Sequence, residues 1–162
     1  MNYESAKKMY YSCFGSKFCI DREYGKEYRK YNVPEKLEKE WSEDIKLSLL
    51  YQINNSYGQE QHELVTNLCC SLSDEESVSI LMEMLNKDQD SFSKLLYCEQ
   101  LKDLMHKISN NELCEIISRI IANQKKLILM DISNIDERYK TLYYMKDYDF
   151  SENALLARAR RL

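Results

Sequence analysis

Residues 34–58 read PEKLEKEWSEDIKLSLLYQINNSYG. Leu37, Trp41, Ile45, Leu49 and Ile53 recur at every fourth position, and the residues between them are almost all polar or charged. A period near 3.6 with one apolar face predicts an amphipathic helix whose stripe must be buried against something else. Pro34 stands at the start, where a missing N–H costs nothing. Asn54-Asn55-Ser56-Tyr57-Gly58 closes the helix and forms the clearest linker in the chain.

Towards the C-terminus the same pattern continues. A helix over about 59–72 turns Leu64, Val65, Leu68, Cys69 and Leu72 inward, and one over about 74–86 carries Val78, Leu81, Met82 and Leu85. Between them Ser73 and Glu76 have capping-box spacing, in which the hydroxyl accepts from the backbone and the acid reaches back. Asp90 or Ser91 opens a helix with Phe92, Leu95, Leu96, Leu101, Leu104, Met105 and Ile108. Ser109 and Glu112 repeat the capping box ahead of Leu113, Ile116, Ile117, Ile120 and Ile121, with the helix continuing toward Leu127 and Ile128. A shift of 36 superposes Ser73 on Ser109, Leu81 on Ile117 and Val65 on Leu101. A period in that range marks stacked helical hairpins. Ser133 or Asn134 is expected to open a helix to about Tyr144, and Ser151 a last one ending in Arg158, Arg160 and Arg161.

Towards the N-terminus, residues 3–14 suit a short helix that Gly15 ends. Residues 15–33 are the least regular part, with Phe18-Cys19-Ile20 expected as a short buried strand or an extended plug. The fold class is therefore all-α: about seven helices in stacked antiparallel hairpins, as a short HEAT-like solenoid or an irregular bundle. The 162 residues read as one domain, with an N-terminal helical part (1–58) and a helical-hairpin part (59–162). Three glycines and one proline argue against an all-β fold, and no apolar run is long enough to cross a membrane as a helix.

Net charge is −4 and uneven. Residues 1–58 hold ten Lys/Arg against nine Asp/Glu, giving +1; 59–135 hold seven against thirteen, giving −6; 136–162 hold six against five, giving +1. The acidic middle disfavours a nucleic-acid duplex, which would meet Lys and Arg, and suits a basic protein partner. Residues 1–11 have two lysines but no apolar segment behind them, unlike a signal peptide. Cys13, Cys19, Cys69, Cys70, Cys98 and Cys114 form no CxxC pair, which reads as reduced thiols in a cytosolic protein.

No spacing in the sequence supports a metal, a cofactor or a phosphate loop. His62 and Cys69 or Cys70 lie two turns apart on one helix but lack the four convergent ligands of a structural zinc. His62 and His106 have no catalytic signature, and Asp74, Glu75 and Glu76 fit the first turn of a helix, where acids complement the dipole. Thirteen tyrosines cluster at Tyr24, Tyr28, Tyr31 and at Tyr139, Tyr143, Tyr144, Tyr148. Tyrosine offers rigid contact area with a polar tip and is enriched at interface hot spots.

Tyr11, Phe14-Gly15-Ser16, Arg22-Glu23, Glu27-Tyr28, Tyr31, Val33-Pro34, Glu40 and Trp41 together resemble the opening of small immunity-like proteins encoded beside polymorphic toxins in Gram-positive bacteria. The resemblance spans residues 11–41 and carries no catalytic motif. It implies a cytoplasmic, stoichiometric inhibitor whose partner is a basic toxin domain, with no nucleic acid, membrane or cofactor involved. Combined with the charge partition and the tyrosine clusters, it nominates Asp74, Glu75, Glu83, Asp88 and Asp90 as acidic contacts. Tyr24, Tyr28 and Tyr143 are the expected aromatic anchors, with Arg22 as a polar partner. The alternative is a helical-repeat adaptor or regulator of another protein, such as a phage or host factor. A third reading is an enzyme built on Asp21, Arg22, Glu23 and Tyr24.

Overall fold

The computed structural model describes residues 3–87 and 89–162. Their α-helices are α1 (Glu4–Ser12), α2 (Lys17–Glu23), α3 (Gly25–Arg29), α4 (Glu35–Asn54), α5 (Gly58–Cys69), α6 (Asp74–Leu85), α7 (Ser91–Met105), α8 (Asn111–Met130) and α9 (Glu152–Arg160). Two 3-10 turns, Glu137–Thr141 and Tyr143–Met145, lie between α8 and α9, and no strand occurs among the described residues. The fold is all-α. The chain divides into two compact units, Met1–Ser56 with Glu63–Ser73, and Tyr57–His62 with Asp74–Leu162.

In the first unit α1 packs on α4. The stripe read from the sequence is the buried face of α4: Trp41, Ile45, Leu49 and Ile53 are all buried, while Leu37, nearest the start, is half-buried. Pro34 precedes the helix as its N-cap, with φ −62° and ψ 139°, and its carbonyl accepts from Leu37 N at 2.9 Å. Tyr10 from α1 sets its ring edge-on to Trp41 at 5.5 Å and bonds Ser42 Oγ at 2.7 Å. Tyr11 donates to Asp44 Oδ2 at 3.1 Å. Gly15 has φ +73°, and its N–H donates to the Tyr10 carbonyl at 3.0 Å, so a glycine-terminated helix end forms as expected.

The expected strand or plug at Phe18-Cys19-Ile20 is instead part of α2. Ser16 caps this helix, its hydroxyl accepting from Cys19 N at 3.4 Å. Only Ile20 of the helix is buried and Phe18 is 75% exposed, so one turn of helix suffices to bury the single residue that needs it.

In the second unit α6 packs on α7, α7 on α8, and α8 on α9. α7 is the most enclosed: Phe92, Leu95, Leu96, Tyr97, Cys98 and Leu101 are all buried. A helix surrounded on most sides loses its amphipathic stripe. α8 starts one residue later than the second capping box predicts, with Asn110 rather than Ser109 as the cap, accepting from Leu113 N at 3.1 Å. The 36-residue shift equates buried pairs, Val65 with Leu101 and Leu81 with Ile117, but not the helix boundaries. α5 and α7 begin at Gly58 and Ser91, 33 apart; α6 and α8 begin at Asp74 and Asn111, 37 apart.

The helix expected from Ser133 or Asn134 to Tyr144 does not form. Residues 131–150 hold only the two 3-10 turns. The physical reason is that Asn134, Asp136 and Tyr139 spend their polar groups on distant partners.

Candidate functional site

A 20-residue connection with so little regular structure is unusual inside a compact unit, and such segments are commonly functional. Residues 131–150 are held at both ends and in the middle. The Asn134 carbonyl accepts from Ser91 N at 2.8 Å, at the start of α7. Asp136 Oδ2 accepts from Gln59 N at 2.8 Å, capping the first turn of α5 from 77 positions away. Arg138 brackets the same carboxylate, Nε to Oδ2 at 2.9 Å, and extends to the Tyr57 carbonyl at 2.6 Å and Glu60 at 3.4 Å. These donors hold the Asp136 carboxyl below the usual carboxylate range although its burial opposes them. Gly58, with φ +59°, leaves the space that the Asp136 side chain fills.

Tyr139 is the central pin and is 1% exposed. Its ring stands edge-on to Phe92 at 4.8 Å and tilts against His62 at 6.1 Å. Its hydroxyl lies 2.8 Å from Ser93 Oγ, which donates to Asp90 Oδ2 at 2.5 Å. A serine hydroxyl has one proton, and here it goes to Asp90, so Tyr139 is the donor in its bond to Ser93. Burial raises the Tyr139 phenol far above its ordinary value and keeps it protonated for that role. At the far end Tyr148 and Phe150 pack on Phe92 at 5.6 and 5.2 Å. The Arg158 guanidinium lies over Tyr148 at 5.1 Å and pairs bidentately with Glu99.

Between the pins the chain turns outward. Tyr143 is 90% exposed and Tyr144 67%. The tyrosine cluster of the C-terminal third is therefore split: Tyr139 and Tyr148 anchor the segment, and Tyr143 and Tyr144 form its tip. Tyrosine rings on a fixed backbone lose little entropy when they bind.

The nominated acidic residues divide as well. Glu75, Ser79 and Glu83 are exposed at four-residue spacing on one face of α6, with Asp74 half-buried beside them in the first turn. Glu83 pairs with Lys87 at 3.4 Å. Asp90 is 1% exposed and caps α7 through Ser93 N at 2.9 Å, so it serves the interior and is not presented to a partner. Asp88 lies outside the described residues.

In the first unit Tyr28 donates to Glu38 Oε1 at 2.7 Å and lies against Tyr10, with its phenol raised by burial. Tyr24 accepts from Ser12 Oγ at 3.1 Å. Both are half-buried and pack the end of the unit. Arg22 is exposed, paired with Glu23 at 2.7 Å and set over Phe18. Asp21 pairs with Arg29 at 2.6 Å, also on the exposed face.

His62 is enclosed by Tyr97, Tyr139 and Gln100, and burial lowers its pKa to about 4. It is a neutral packing group at physiological pH. Among the described residues no set of three or more His, Cys, Asp or Glu is placed to hold a metal. No described helix is long and apolar enough to cross a membrane. At the end of α9, Lys102 and Lys125 donate to the Arg161 and Arg160 carbonyls, supplying cations where a helix C-terminus favours them.

No family model matches the chain, and no curated protein or solved structure is similar to it. The functional reading rests on the residues.

Proposed function

We propose that this chain is a non-enzymatic protein-binding module, an immunity-type inhibitor that acts in the cytoplasm by occluding a cognate, basic bacterial toxin domain. The observation that carries the reading is the pinned segment 131–150, which buries Tyr139 and presents Tyr143 and Tyr144 to solvent. Buried tyrosines need no partner; two exposed rings on a backbone fixed at several points are suited to being covered. The exposed acidic face of α6, with Glu75 and Glu83, supplies the charge that would steer a basic partner and set the salt dependence of encounter. The successive packing of α6, α7 and α8 supports a short helical-repeat stack as the scaffold. Inhibition needs no chemistry here: a rigid surface seated over an active site excludes substrate.

The test is a tagged pull-down from the native source, washed at low and then high salt. It is repeated with the Tyr143→Ala/Tyr144→Ala double variant and with Glu75→Lys/Glu83→Lys. The expected result is one basic, near-stoichiometric partner, lost with the tyrosine variant and weakened by salt or by charge reversal. A salt-resistant acidic or neutral partner would favour an adaptor instead. Undiminished capture by the tyrosine variant would sink the role of the tip.

A further inference from the structure

The first unit brings two thiols together. α1 ends at Ser12, and Cys13 caps it. The chain then reverses through Phe14 and Gly15, both at positive φ (50° and 73°). Ser16 N donates to the Cys13 carbonyl at 2.9 Å, and Ser16 in turn caps α2 through Cys19 N. This compact reversal sets the Cys19 thiol within hydrogen-bonding reach of the Cys13 thiol. Cys13 is 4% exposed and Cys19 half-buried, and both are free thiols.

We propose that Cys13 and Cys19 form a reversible disulfide site, oxidised by a low-molecular-weight disulfide of the glutathione type. Adjacent thiols need only side-chain rotation to reach the roughly 2.05 Å of an S–S bond. Cys19, the more accessible sulfur, attacks first as its thiolate. It bonds to one sulfur of glutathione disulfide, whose S–S bond breaks, and one glutathione leaves as thiolate and takes up a proton. Cys13 then attacks the Cys19 sulfur of the mixed disulfide and expels the second glutathione. Two protein thiol protons end on two glutathiones; the protein loses two electrons and glutathione disulfide gains two. Burial, and next the hydrogen bond with Cys19, push the Cys13 thiol up to about 11, so the closing step is the slow one and speeds up with rising pH. The bridge would tie the end of α1 to the first turn of α2, the helix that carries exposed Phe18 and Arg22.

The full chain is equilibrated in glutathione buffers from reducing to oxidising. Samples are acid-quenched, their free thiols are alkylated, and tryptic peptides are mapped by mass spectrometry. Cleavage after Lys8, Lys17 and Arg22 separates the two cysteines, so a bridge joins peptide 9–17 to peptide 18–22 with the loss of two hydrogens. The expected result is this joined pair, reversed by dithiothreitol, with a melting temperature raised by several degrees, because a cross-link restricts the unfolded chain. In Cys13→Ser the reaction should stop at a glutathione adduct on Cys19. Cys70, exposed just after α5, reports that the oxidant reaches accessible thiols. Full alkylation of Cys13 and Cys19 at a poise that modifies Cys70 would overturn the proposal. So would wild-type protein that stops at the Cys19 adduct, and neither result depends on a variant folding.

Discussion

His62 makes the second unit sensitive to mild acid. Its ring is buried among Tyr97, Tyr139 and Gln100, and burial alone lowers its pKa from 6.5 to about 4. In the unfolded chain the imidazole regains its ordinary value. Above pH 6.5 it is neutral in both states and pH has no effect through it. Between 6.5 and 4 the unfolded state binds the proton and the folded state does not, so stability falls as pH falls. Below 4 both bind it and the loss is complete. At 1.36 kcal/mol per pH unit the full loss is about 3 kcal/mol. Urea unfolding of wild type and His62→Gln at intervals from pH 7.5 to 4 measures it, with the C2 proton of His62 followed by NMR. The two proteins should converge in stability as the pH drops, the wild type losing about 3 kcal/mol more than the variant. Parallel curves between 6.5 and 4, or a His62 titration near 6.5, would refute the reasoning. Because the ring leans on Tyr139, the same acid range should loosen segment 131–150 and weaken whatever binds its tip.

Other outcomes follow from the pins. Gly58→Ala places a methyl group against the Asp136 side chain at a backbone φ of +59°, and should cost at least about 2 kcal/mol by thermal unfolding. Asp136→Ala removes the remote cap of α5 and should cost about 1–2 kcal/mol in urea unfolding. Tyr139→Phe removes one donor and should cost about 1 kcal/mol, whereas Ser93→Ala deprives both Tyr139 and Asp90 and should cost more, about 1–3 kcal/mol. Tyr143→Ala should leave stability within about 0.5 kcal/mol, since nothing buried depends on it.

The helices that carry a one-sided apolar stripe were legible because their burial is periodic. Trp41, Ile45, Leu49 and Ile53 of α4 repeat in the sequence what the structure buries. The misreadings have a common cause: a residue's partner is distant. Nothing near Asp136 says that its carboxylate caps a helix 77 positions earlier, and without that diversion the segment reads as an ordinary capped helix. α2 was mistaken for a strand because three consecutive apolar residues carry no period. Its one signal was Ser16, a capping residue directly after a helix-ending glycine. Sequence alone also gave Asp90 two roles, helix opener and partner contact. They exclude each other, since a cap whose carboxylate is filled by Ser93 N and Oγ in the interior has nothing left to offer outside.

The tyrosines show where composition stops being informative. Seven were grouped by proximity in sequence, yet adjacent members do opposite things. Tyr28 and Tyr139 each place the hydroxyl on an internal acceptor, Glu38 and Ser93, and bury the ring. Tyr143 and Tyr144 do neither job of a core residue, and the segment that carries them is fixed by Asp136, Arg138, Tyr139 and Tyr148 on either side. Those pins take three charged or phenolic groups out of solution and hold a backbone that could have been a simple helix. Such an arrangement stabilises the unit less than a continuous helix with its own local hydrogen bonds would, and what it secures is the fixed placement of two exposed rings. That is the physical case for looking to Tyr143 and Tyr144 first for the surface that acts.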